Sequence, residues 1–137
     1  MSRSKNREEA FKLLYSLQIN MDSDRKEQIE LFFNQEKIIN KDCKEYIQSV
    51  ITGIEENNAE IEKQISENIK EGWSIERISK IDIALLKLGI FEIIYSKLPY
   101  KVVINEVVEL SKKYGDDNSK SFVNGVLASI VKKNNIT

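Results

Sequence analysis

The chain has 137 residues, with 21 lysines and arginines against 22 aspartates and glutamates, a formal net charge of −1, no histidine and one cysteine. That length buries one core, or two small ones sharing a central element, and the charge balance confines any attraction for polyanions to local patches. Without histidine the commonest general base, the commonest transition-metal ligand and every Ser-His or Cys-His nucleophile are excluded, and a lone thiol excludes an internal disulfide or a multi-thiolate zinc site.

Arg3, Lys5 and Arg7 precede an amphipathic run in which Ala10, Leu13, Leu14, Leu17 and Met21 recur at helical spacing, predicting a first helix over roughly Ser4–Asn20. The three cations then sit on an arm and the first turn, read either as a solvated, frayed terminus or as a mobile arm for phosphates. A polar break at Asp22–Asp24 leads to a short helix carrying Ile29, Phe32 and Phe33. Asn40 is a good N-cap for a third helix with Cys43, Tyr46, Ile47, Val50, Ile51 and Ile54 inward, which makes Cys43 a small core residue. Asn57 and Asn58 interrupt it, and Ile61, Ile65 and Ile69 carry a fourth helix to about Lys70. Glu71-Gly72-Trp73-Ser74 reads as a loop with Trp73 plugging the core.

Ile81–Leu98 is apolar around most of its circumference, so it is predicted to be a central helix enclosed by others, capped by Ser79 with Asp82 answering it and stopped by Pro99. Gly89 within it suggests a close backbone crossing, and Gly125 suggests another. Pro99 opens a sixth helix with Val103, Val107, Leu110 and Tyr114 inward and Gly115 as its stop. Asp116-Asp117-Asn118-Ser119 is a turn supplying caps for a last helix with Val123, Val126, Leu127 and Ile130 inward. Asn105 and Asn124, in apolar surroundings, are read as polar pins to neighbouring backbone. The product is an all-α chain of about seven helices, with no strand-like alternation, internal repeat or low-complexity linker. No Gly-rich phosphate loop and no metal-ligand spacing is present, so catalysis, a metal and a cofactor are not expected. No stretch is apolar for long enough to cross a bilayer, and MSRSKNREEAF lacks the apolar segment of a secretory signal, which makes the cytoplasm the expected location.

The run Pro99-Tyr100-Lys101-Val102-Val103-Ile104-Asn105-Glu106, then Glu109-Leu110, Lys112-Lys113-Tyr114-Gly115 and Phe122-Val123-Asn124-Gly125-Val126-Leu127, strongly resembles the bacterial transcription antitermination family NusB. Trp73–Ile78, Ile81-Asp82 and Leu86–Glu92 look like that family's central helix, and Arg7, Ala10, Leu14-Tyr15 and Gln18 match its first. The resemblance implies two three-helix bundles packed across each other around a central helix at roughly residues 79–98, as one domain over 1–137. It also implies a protein without catalysis that binds boxA-type single-stranded RNA of ribosomal RNA operons together with ribosomal protein NusE. The wider assembly contains other Nus factors and RNA polymerase, which then reads through terminators. Carried over by position, RNA contact falls on Arg3, Lys5 and Arg7 and on Asn118, Lys120 and Phe122, and the NusE side on Tyr15, Glu76 and Asp82. Ser121 stands where a lysine is frequent in relatives, and Asn118 where an acid is. Members of the family occur as monomers and as homodimers. The competing reading of the same scaffold is a helical adaptor whose ligands are proteins only.

Overall fold

The computed structural model describes residues 2–137. Among them seven α-helices follow one another: α1 (Arg3–Ile19), α2 (Arg25–Gln35), α3 (Lys41–Glu56), α4 (Asn58–Ser66), α5 (Lys80–Ile90), α6 (Tyr100–Tyr114) and α7 (Ser119–Lys133). A 3₁₀ turn at Ile75–Arg77 precedes α5, and a π turn at Phe91–Tyr95 prolongs it. No strand occurs among the described residues.

Helix starts are set by local chemistry. The side chains of Ser2, Asp24, Asn40 and Ser79 accept hydrogen bonds from the backbone amides of Lys5, Glu27, Cys43 and Asp82, each a cap typically worth about 1 kcal/mol. α5 is the hub. Ala84, Leu85, Leu86, Leu88 and Ile90 are fully buried, and the helix packs on α1, α3 and α4 as well as on α6 and α7. The first group surrounds one flank of α5 and the α6/α7 pair the other, so the two halves share one continuous core. α2 rests on α1 and buries only Phe33.

The structure departs from the sequence reading in several places. α5 is α-helical only to Ile90, after which the amide of Ser96 donates to the carbonyl of Phe91 at 3.0 Å, a five-residue π step. α4 ends at Ser66, four residues before Lys70. Trp73 is 46% exposed rather than a core plug, carried outward by a turn in which Gly72 takes φ +86°. Met21 lies beyond the end of α1 and faces solvent. Asn105 and Asn124 are exposed, on the outer sides of α6 and α7, and pin nothing.

Gly89 does mark a close approach, but to side chains: a Cβ there would sit 3.0 Å from Cδ1 of Leu127 and 3.5 Å from Cγ2 of Val107. At Gly125 a Cβ would meet nothing within 4 Å, so no crossing explains it. Gly115 ends α6 with extended backbone, and a side chain there would collide with Ser119. Gly53, unremarkable in the sequence, has its would-be Cβ against the ring of Phe91. Asn118 makes no side-chain cap for α7; instead the backbone amides of Asp116 and Asn118 donate to Ser119 Oγ and Asp116 Oδ1.

Candidate functional site

The amino-terminal cations are not on an arm. Ser2 caps α1 and all three lie within it, where residues two apart point to opposite sides and residues four apart share one. Arg3 and Arg7 therefore face the same way and Lys5 faces another. Arg3 lines a cavity of about 300 Å³ with Arg7, Tyr46, Ser49, Glu92 and Leu98. Lys5 lines a broader groove of about 590 Å³ between α1 and α6, together with Arg7, Glu8, Glu106, Lys112 and Lys113.

Arg7 departs most from the solvent-facing cation expected of it. It is 4% exposed, and its guanidinium is engaged by Glu92, through Nε and through Nη2 at 3.3 Å, and by Glu106 at 3.3 Å from Nη1. Tyr46 donates its hydroxyl at 3.1 Å to Glu92 Oε2, the oxygen that also accepts from Arg7 Nη2. Burial raises the Tyr46 hydroxyl well above its ordinary value, and the charge of Glu92 adds to the effect. The network joins α1, α3, α6 and the π turn, and its anchor, Glu92, is 1% exposed. An unpaired carboxylate there would be prohibitive, so the guanidinium is held in place structurally.

In the groove beyond it, Glu8 accepts hydrogen bonds from Lys113 Nζ and from the Tyr114 hydroxyl at 2.6 Å, with Lys5 Nζ at 3.5 Å. Burial opposes ionisation of Glu8, but the bonds from Lys113 and Tyr114 and the charge of Lys5 outweigh it and hold the carboxyl down at about 2. Lys5 also pairs with Glu9 at 3.2 Å, and Lys112 with Glu109 at 3.0 Å. Cations and carboxylates thus nearly balance in this groove, and its cations are largely paired. Lys112 and Lys113, which suit the carboxyl end of any helix, line this groove and pair with Glu109 and Glu8. No local sequence signal pairs them with α1, since Lys113 meets Glu8 across 105 residues.

Asn118 and Lys120 are exposed at the start of α7, the turn that follows Tyr114 directly and so lies next to the groove's Lys113 end. Phe122 is half-buried and faces elsewhere. It lines a separate groove of about 310 Å³ with Asn68, Ile69, Lys70, Trp73, Ser121 and Gly125. The basic groove and the aromatic one are therefore distinct features, linked by the first turn of α7.

The residues expected on the protein-partner side gather around the start of α5. Gln18 Nε2 donates to the carbonyl of Lys80 at 3.1 Å, tying the last turns of α1 to α5, and Tyr15 lies one turn before Gln18, stacked on Phe11. Glu76 is exposed on the 3₁₀ turn just upstream. Asp82 is only 8% exposed, its Oδ1 is buried without a hydrogen-bond partner, and burial raises its carboxyl above the usual range. It offers little surface.

A bundle of helices crossing on one hub helix, with a network of ion pairs where α1 meets α6, defines an all-α helical scaffold with no cluster of metal-ligating side chains among the described residues. Residues 4–132 match the NusB family model, and the chain belongs to that family. The transcription antitermination protein NusB of Clostridium acetobutylicum is 44% identical, the alignment covering 96% of both chains. Solved NusB from T. maritima superposes with a TM-score of 0.87 at 34% identity, covering 97% of this chain and 92% of that one. A structure described as antitermination factors NusB and NusE in complex with dsRNA superposes with a TM-score of 0.85 at 30% identity, covering 97% and 99%. No helix here is long and apolar enough to cross a membrane among the described residues.

Proposed function

We infer that this chain is a transcription antitermination factor that binds boxA-type RNA together with NusE, within an assembly of other Nus factors and RNA polymerase. Its family membership carries the reading, supported by the relative solved with NusE and RNA. The chain acts as one domain, in the cytoplasm, and as a regulator rather than a catalyst. RNA contact runs from Arg3 and Lys5 on α1, past Lys112 and Lys113, to Asn118, Lys120 and Phe122. Arg7 serves by fixing the pitch of α1, through Glu92, and not by touching phosphate. Tyr15 and Glu76 supply the NusE side, and Asp82 orders the backbone beneath them.

The near balance of charge in the α1/α6 groove supports one further feature of the reading. A patch whose four cations face three lining carboxylates, with Glu9 and Glu92 pairing two of them besides, binds a polyanion weakly by itself, and NusE supplies the remaining surface and effective concentration. With NusE present, log affinity for boxA-like single-stranded RNA is expected to fall against log salt with a slope of about −2 to −3, the value for three or four phosphate contacts. Fluorescence anisotropy of end-labelled RNA across a salt series measures it. A flat response, or no binding at all, returns the protein-only adaptor.

A further inference from the structure

The groove beside α7 contains two features that the fold does not explain. Trp73 leaves 46% of its surface in solvent and is not among the side chains packed on the core. Gly125 sits in the interior of α7, where glycine costs roughly 1 kcal/mol against alanine, yet a Cβ would meet nothing within 4 Å. Both line the same recess of about 310 Å³, together with Phe122. A helix that gives up stability for a missing methyl group, with no internal neighbour to accommodate, is one that leaves room for something outside.

We propose that this recess is a base-binding slot, in which Trp73 stacks on an unpaired base of the bound RNA above a floor kept open by Gly125. The inference rests on the RNA-binding reading above and extends it to Trp73 and Gly125. The opening is at the small end of ligand pockets, the size of a flat ring and not of a helix. An indole face is sequence-tolerant toward bases because every base has a π surface. Lys70 stands exposed at the rim, where a phosphate flanking the inserted base would pass, and Ser121 adds a hydroxyl beside it. Phe122 continues the slot into the start of α7, where Asn118 and Lys120 face solvent. Unpaired RNA, which can splay single bases onto aromatic rings, is the occupant that this combination fits.

Trp73 is the only tryptophan in the chain, so its emission reports the slot directly. The intact protein with NusE is titrated with end-labelled boxA-like single-stranded RNA, following RNA anisotropy and indole emission together, with the contribution of any NusE tryptophan subtracted. Emission is expected to be quenched in step with binding. Trp73→Ala is expected to weaken RNA binding roughly 5- to 150-fold, the range for one lost base–aromatic stack, and Trp73→Phe to recover most of it. Gly125→Ala is expected to raise the melting temperature while lowering RNA affinity, a pairing that a purely structural glycine does not give. Normal RNA affinity in Trp73→Ala, with unquenched emission in the parent, overturns the slot and leaves the RNA-binding reading standing. Quenching by NusE alone, with NusE affinity lost in Trp73→Ala, assigns the recess to protein and overturns it too. Absence of RNA binding by the parent complex removes both.

Discussion

Glu92 and Glu8 are both acids close to the amino-terminal cations, yet they do opposite kinds of work. Glu92 is sealed between Arg7 and Tyr46, so truncating it leaves a guanidinium buried without its main counter-ion. Glu92→Ala is expected to cost about 3–5 kcal/mol in urea unfolding, whereas an exposed acid such as Glu71 should cost little when replaced. Glu8 is held ionised at about 2 in the folded chain, below its unfolded value. A carboxyl shifted downward contributes its stabilisation above the unfolded pKa and loses it as pH falls through the folded one. The stability gap between the parent and Glu8→Gln, on the order of 2 kcal/mol at neutral pH, should therefore close between about pH 5 and pH 2. A gap that is constant with pH would show that Lys113 and Tyr114 hold Glu8 by packing alone. Asp82, raised by burial, carries the contrary sign: its ionisation is a penalty at neutral pH that acid relieves. Why Arg7 was read as a surface cation is clear at this scale. Its partner lies 85 residues away, and the only hint was a glutamate set among Phe91, Ile93 and Ile94.

Helix boundaries with local causes were readable in the sequence, and those with tertiary causes were not. The caps at Asn40 and Ser79 depend on residues three apart and fell where expected. The π turn at Phe91–Tyr95 has no such signature, since FEIIY reads as plain helix. At its start Glu92 reaches Arg7 and Tyr46, while Phe91 lies against Gly53 and stacks on Tyr95, ring centroids 5.9 Å apart. Trp73 was misread for a related reason, because hydrophobicity predicts burial only where an element delivers the side chain inward. The contact at Gly53 gives a sharp test of this packing. Helix propensity alone makes Gly53→Ala stabilising by up to about 1 kcal/mol. The Phe91 ring occupies the space of the new methyl group, and both lie among buried helices, so the substitution is expected to destabilise by about 1–3 kcal/mol instead. Thermal unfolding of Gly53→Ala decides the sign, and the double variant with Phe91→Leu should recover part of the loss.

At the scale of the whole molecule, the all-helical class and the enclosed central helix were legible because α5 is apolar on nearly every side, a property that only a hub satisfies. The candidate site was legible as a set of residues but not as a place, since helix α1 turns Arg3 and Lys5 away from each other and Phe122 opens onto Trp73. The same hub dictates how the chain comes apart. Each half of the protein completes its core against α5, and polar ties such as Ser129 to Asn68, at 2.6 Å, and Lys87 to Glu62, at 3.0 Å, bind the turn after α4 to α7 and α4 to α5. Neither half can lose its packing without exposing a face of the other, so the one-domain reading requires cooperative unfolding. Native-state hydrogen exchange is expected to show the amides of α5, with the inner turns of α1 and α6, opening only at the global unfolding free energy. α2, which buries one side chain and rests on α1, should open at a fraction of it. If α6 and α7 exchanged together well before α1 and α3, the chain would consist of two units and α5 would belong to only one of them.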